Sequence, residues 1–142
     1  MNGYLIDTNV LSEFGKTQPP DPRVKQWIAF AEPASLFASV VTWGELRKGI
    51  ESKPQAQRRP GLEQWLERDL RDWFQSRLLP VTKTIADRWG VLAGQSKLKG
   101  KALTMADGLL LATAFEHDLV IVTRNAKDFA GYGASLFNPW EA

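Results

Sequence analysis

Short apolar runs alternate along this chain with longer stretches whose apolar residues recur every three or four positions. The short runs read as strands: Tyr4 to Ile6, Leu36 to Val41, Leu79 to Thr82, Leu119 to Thr123 and, as a last edge, Ser135 to Phe137. Pro80 weakens the third or confines it to an edge, because proline brings no amide to a ladder. Val120, Ile121 and Val122 form an unbroken β-branched run, the pattern of a strand covered on both faces. The helical period predicts helices from Pro22 to Phe30, Trp43 to Ser52, Leu62 to Leu78, Thr84 to Leu98 and Met105 to His117. The third of these carries an apolar stripe of Leu62, Trp65, Leu66, Leu70, Trp73 and Phe74. The last is apolar almost all round and is expected in the interior. Proline-rich and lysine-rich stretches at 19–22, 54–60 and 97–101 read as loops. Strands alternating with helices define an α/β fold with a mainly parallel central sheet of four to five strands flanked by helices.

Composition narrows the class. A length of 142 residues, 44% of them hydrophobic, predicts a single domain over 1–142 with one core. The absence of cysteine excludes disulfides and thiolate metal sites and fits a reducing cytosol. No apolar run approaches the ~20 residues needed to cross a bilayer, and no basic segment followed by an apolar stretch opens the chain. The expectation is a soluble cytoplasmic protein without a membrane partner. Eighteen basic and sixteen acidic residues leave a net charge of only +2, so nucleic-acid binding must be argued from local clusters.

Four acids stand at places where the predicted fold can gather them. Asp7 follows the first strand, and Glu45 falls in the first predicted turn of the helix after the second. Asp107 falls in the first turn of the interior helix, and Asp128 follows the fourth strand. In an open parallel sheet the chain leaves each strand at one rim, where ligands bind. Carboxylates gathered there repel one another, and some would keep a proton. A divalent cation resolves the conflict, and oxygen-only ligands favour hard ions such as Mg²⁺ or Mn²⁺. Sites of this kind hydrolyse phosphodiesters. Other nucleolytic chemistries are poorly supplied: His117 is the lone histidine, and there is no cysteine nucleophile. Aspartate-nucleophile phosphatases place a second acid two residues after the first, where this chain has Asn9; receiver domains need an acid pair near the first strand, and Asp7 has no acidic neighbour.

Each acid also has an ordinary structural reading. Thr42–Glu45 and Thr104–Asp107 both match a capping box. Asp7-Thr8-Asn9 reads equally as a turn closing a strand, and Asp128 as a solvated loop acid. Capping and metal binding are compatible, since a helix N-terminus favours an ionised carboxylate.

At these residues the sequence resembles the PIN-domain family, in particular the VapC and FitB-like toxin ribonucleases of bacterial toxin–antitoxin pairs. The matching stretches are Leu5 to Glu13 (LIDTNVLSE), Ser39 to Ile50 (SVVTWGELRKGI), Thr104 to Ala114 (TMADGLLLATA) and Val122 to Phe129 (VTRNAKDF), with Phe137 to Trp140 at the end. The resemblance implies a PIN fold, Mg²⁺ or Mn²⁺ dependence, endoribonuclease activity, dimers, and neutralisation by a small DNA-binding antitoxin. It makes Asp7, Glu45 and Asp107 the first three acids, with Asp7 and Asp107 as metal ligands. Many members carry an acid where this chain has Asn125, so Asp128 or Asn125 itself completes the set. Thr8 and Thr123 are expected to donate hydroxyl hydrogen bonds to ligand carboxylates, with strand-end turn chemistry as the alternative. Lys99, Lys101 and Arg124 are the expected RNA contacts, beside Lys97, Lys127, Arg47 and Lys48, in a basic rim around an acidic centre. Trp65 and Trp73 are read as core, with an exposed patch for dimerisation or antitoxin docking as the alternative. A non-catalytic PIN-like module that binds RNA or a protein, and a DNA-directed metal nuclease, remain the competing functions.

Overall fold

In the computed structural model, which describes residues 2–142, five strands form one sheet in the order β3-β2-β1-β4-β5. The strands are β1 (Gly3–Ile6), β2 (Leu36–Ser39), β3 (Leu78–Leu79), β4 (Leu119–Val122) and β5 (Leu136–Phe137). Every pairing is parallel. β1 sits in the middle, with Leu5 opposite Phe37 on one side and Ile121 on the other.

Successive strand residues point to opposite faces, and the core divides accordingly. Ile6 and Val122 join a layer with Val24, Leu46, Ile50, Leu66 and Phe74. Leu5 and Ile121 join the opposite layer with Leu110, Leu111, Ala114 and Phe129. Each of these four strand side chains is fully buried, worth about 2 kcal/mol apiece. β4 is buried at all four positions, as its unbroken apolar run predicts.

The helices are α1 (Thr8–Leu11), α2 (Pro22–Phe30), α3 (Val40–Glu51), α4 (Leu62–Gln64), α5 (Arg71–Phe74), α6 (Lys83–Leu98), α7 (Met105–His117) and α8 (Ala126–Phe129). Several boundaries differ from the pattern-based expectation. β2 stops at Ser39, whose hydroxyl accepts from the Val41 amide at 3.0 Å and starts α3 three residues early. Glu45 therefore lies in the second turn, and Thr42 is a buried helix-interior residue rather than a cap. β3 ends before Pro80, and Thr82 caps α6 by accepting from the Ile85 amide. Lys97 and Leu98 belong to α6 and not to a loop.

The expected helix from Leu62 to Leu78 is interrupted. A π-helical stretch, Trp65–Leu70, separates α4 from α5, and Gln75 ends the run at φ +50°. Arg77 explains the stop. Its guanidinium donates to the carbonyls of Pro33 and Leu36 at 2.6 Å each, and to that of Trp73. These bonds pull the chain across to the start of β2, where Leu78 pairs beside Ala38.

α6 and α7 pack closely along one another. Gly108 permits this: a Cβ there would lie 2.6 Å from Cδ1 of Trp89. α6 ends in a Schellman motif in which the Lys101 amide donates to the Ser96 carbonyl and Gly100, at φ +67°, donates to that of Lys97. Because all strands run the same way, their C-terminal ends share a rim. α7 runs back toward β4 and brings its N-terminus to that rim.

Candidate metal centre

Asp7 is the N-cap of α1. Its Oδ1 accepts from the Thr8 amide at 2.7 Å, and its Oδ2 accepts from the Thr123 hydroxyl at 2.8 Å. Backbone pairing sets this up. The Asp7 amide donates to the Val122 carbonyl and the Thr123 amide to the Phe137 carbonyl, so the sheet registers one residue past each strand. Asp7 is only 7% exposed and Thr123 is fully buried. Burial pushes the Asp7 carboxyl up to about 6, against the lowering effect of Thr123 and the Thr8 amide, and Glu45 and Asp107 push it further in the same direction.

Glu45 reaches the same rim from α3, and its Oε1 accepts from the Thr8 hydroxyl at 2.6 Å. Asp107 stands in the first turn of α7, where its amide donates to the Thr104 hydroxyl at 3.2 Å. Its carboxyl is raised chiefly by burial; Thr104 opposes this, while Asp128 and Glu45 add to it. Asp128 is exposed on α8, one short helix beyond β4, rather than in an irregular loop. Asp7, Glu45 and Asp107 thus lie within electrostatic reach of one another, and Asp128 within reach of Asp107. Asn125 is exposed, and its amide donates to the Thr123 hydroxyl at 3.0 Å.

Asn9 enters the sequence-based expectation only as a departure from the phosphatase pattern, and the structure gives it a larger part. Its Nδ2 donates to Thr123 Oγ1 at 3.2 Å and approaches Asp7 Oδ2 at 3.4 Å, and its Oδ1 accepts from the Arg124 amide at 3.2 Å. It ties the end of β1 to the end of β4. An amide side chain two residues after a strand-ending acid, in an Asx-type turn, is the available signal.

The cations are arranged unevenly. Lys99 is exposed at the end of α6. Arg124 lies over the Trp140 ring at 5.1 Å. Lys101 is also exposed but is engaged by its own chain: Nζ donates to the Ala130 carbonyl at 2.8 Å and sits 4.2 Å from the Tyr132 ring centroid. Among the described residues no lysine or arginine pairs with Asp7, Glu45, Asp107 or Asp128. An all-oxygen donor set without a protein counter-ion suits a hard divalent cation. Among the described residues no group of three or more acids or histidines is gathered closely enough to hold an ion as it stands. Binding one therefore calls for side-chain rotation. The freedom for it lies in Glu45 and Asp128, since Asp7 is fixed on both oxygens.

The comparisons agree with this architecture. A family model described as PIN domain matches residues 4–134. VapC ribonuclease Y4jK from Sinorhizobium fredii is 34% identical over 96% of this chain and 97% of its own. Toxin FitB from Neisseria gonorrhoeae is 32% identical over 96% and 97%. The crystal structure of FitAcB from Neisseria gonorrhoeae superposes with a TM-score of 0.88 at 32% identity, covering 98% of this chain and 99% of that one. FitAB bound to an IR36 DNA fragment gives 0.83 at 29% identity, over 96% and 95%. The chain belongs to the PIN-domain family, in its VapC/FitB toxin branch. Among the described residues no helix is long and apolar enough to cross a membrane.

Proposed function

We propose that residues 1–142 form one PIN domain acting as the toxin of a type II toxin–antitoxin pair, a cytoplasmic endoribonuclease that uses Mg²⁺ or Mn²⁺ to hydrolyse RNA phosphodiester bonds. What supports the reading is that Asp7, Glu45 and Asp107 interact at one rim, with Asp128 beside Asp107, and that no cation among the described residues pairs with any of them. Asp7 and Asp107 would hold the ion, with Asn125 and Asp128 completing its surroundings. When bound, the ion supplies Lewis-acid activation of water and charge neutralisation at the phosphate.

The chain's own groups prepare that chemistry. Thr123, Thr8 and Asn9 fix the orientation of Asp7, the supporting role that outer hydrogen bonds play around ligand carboxylates. Thr8 holds one oxygen of Glu45 and leaves the other to orient an attacking water and take its proton. Lys99 and Arg124 offer positive charge to the RNA backbone beside this acidic centre.

The partner reading rests on an apolar hollow of about 230 Å³ lined by Leu11, Phe14, Ile28, Trp65, Trp73 and Phe74. Trp73 is 40% exposed. An apolar surface of this kind suits a segment of a small cognate antitoxin, and the similar structures FitAcB and FitAB are consistent with such a partner. A homodimer is part of the same proposal.

The deciding experiment uses purified protein with Mg²⁺ or Mn²⁺, with and without EDTA, on mixed single-stranded and structured RNAs, with DNA in parallel. Cleavage of RNA that EDTA abolishes is expected. Cleavage confined to DNA, or none in any metal, would overturn the proposal.

A further inference from the structure

Lys101 stands in a closed set of contacts between two parts of the site. Its amide is fixed by the Schellman end of α6. Its carbonyl accepts from the Ser96 hydroxyl at 3.0 Å, and that hydroxyl lies 2.7 Å from the Tyr132 hydroxyl. Ser96 is only 3% exposed and Tyr132 is half-buried, so the pair is largely sheltered from solvent. The Lys101 ammonium then crosses to the Ala130 carbonyl, the residue that ends α8, and covers the Tyr132 ring. Gly131, at φ +88°, leaves the room for it: a Cβ there would lie 2.8 Å from Lys101 Nζ.

The two ends joined in this way carry different acids. The turn after α6 leads directly into α7 and Asp107. α8 carries Asp128 and follows Asn125. The two helices that carry them pack directly against one another. Asp128 itself is exposed and has no side-chain hydrogen bond among the described residues. Its helix is held by the burial of Phe129 among residues of α7, by the Asn125 amide on the Thr123 hydroxyl and by this lysine bridge.

We propose that Lys101 is a positioning residue, which locks α8 against the start of α7 and so sets the separation of Asp128 and Asn125 from Asp107, rather than a contact to RNA. The inference rests on the reading of these acids as a metal-dependent nuclease centre. The lock itself is a property of the protein and can be measured without metal or substrate. A charge-assisted hydrogen bond and a cation–π contact end together when the ammonium is removed.

The test compares wild type with Lys101→Ala, Lys101→Arg and Tyr132→Phe by amide hydrogen exchange on metal-free protein. Turnover and KM follow on whichever RNA the wild type cleaves. In Lys101→Ala, exchange across 126–132 should quicken about tenfold, the scale of losing one such hydrogen bond, while amides of β1 and β4 stay protected. Turnover should fall with KM for RNA and its salt dependence unchanged. Lys101→Arg, which keeps a cation over the ring and a donor for the carbonyl, should restore both; Tyr132→Phe should fall between. Unchanged exchange in Lys101→Ala would overturn the proposal, as would a raised KM with a shallower salt slope and normal turnover, which marks an RNA contact. A wild type that cleaves no RNA would overturn the nuclease reading, and the exchange result would still decide the lock.

Discussion

The two halves of the rim are built differently. On the β1/β4 side, Asp7 is buried, accepts from Thr8 and Thr123, and is reached by Asn9, which also holds the Arg124 amide. On the α7/α8 side, Asp107 is half-buried with one capping threonine, and Asp128 is exposed on a four-residue helix. One half is fixed by hydrogen bonds before any ligand arrives; the other is set by how the short α8 docks against α7. Under the proposed function, such a division would hold a cation at an invariant point and still admit a polymer. It also predicts that substitutions will differ in kind between the halves and not only in size.

The largest effect falls on the proposed ligands, one in each half. Asp7→Asn and Asp107→Asn should each lower metal-dependent RNA cleavage by at least about a hundredfold, the scale of losing essential charge stabilisation. A cleavage assay with circular dichroism of the variants checks this, and an Asp7→Asn protein that still cuts would remove Asp7 from the centre. Thr123→Val comes next. It strips hydrogen bonds from Asp7, Asn9 and the Asn125 amide at a fully buried position. It should destabilise the fold by about 1–3 kcal/mol and weaken Mn²⁺ binding about 10–100-fold, measured by thermal melts and calorimetric titration. A variant that loses metal affinity with no loss of stability would break the link between a rigid Asp7 and the fold.

The pH dependence sharpens the contrast. The Asp7 carboxyl moves from 3.8 to about 6 on folding, chiefly through burial. The folded protein therefore holds this proton where the unfolded chain has lost it. The contribution to stability is full below pH about 4, declines as pH rises, and is lost above pH about 6, reaching about 3 kcal/mol against the fold. Metal-free wild type should lose stability across that window relative to Asp7→Asn, and Mn²⁺ should restore it above pH about 6. Denaturant melts spanning pH values from below to above this window on both proteins check this; equal pH profiles would mean that the buried carboxyl is not the strained group.

Much of this arrangement is legible in the residues, and the gaps have physical causes. β4 stands out because a strand covered on both faces must be apolar at every position. Asp7 and Asp107 fall correctly at a strand end and a helix start because cap and turn chemistry is local. Glu45 is expected one turn too early, since Thr42 matches a capping box as well as Ser39 matches an N-cap. Only tertiary packing, which buries Thr42, separates the two. The interrupted helix is not visible at all. Its apolar stripe continues through the π-helical stretch, and the residue that ends it, Arg77, acts through carbonyls some forty positions away. The parts played by Asn9 and Lys101 are hidden for the same reason, since each works by bonds to segments distant in sequence.

The smallest expected effect concerns the open half. Asp128 is exposed and unsupported by donors, so its carboxylate adapts to a nearby cation but does not define the site. Asp128→Asn should weaken Mn²⁺ binding only roughly threefold, the scale of an exposed charge interaction, and should leave the melting temperature unchanged. It should also relieve part of the upward push on the Asp107 carboxyl, lowering that group's pKa in a carboxyl-resolved NMR titration. The two readouts bear on different points. A titration of Asp107 that ignores the substitution would place α8 further from α7 than the lysine bridge implies. A loss of metal affinity as large as that of Asp107→Asn would make Asp128 an essential ligand. The open half would then define the centre as firmly as the closed one, with the acid missing at Asn125 supplied three residues later in the chain.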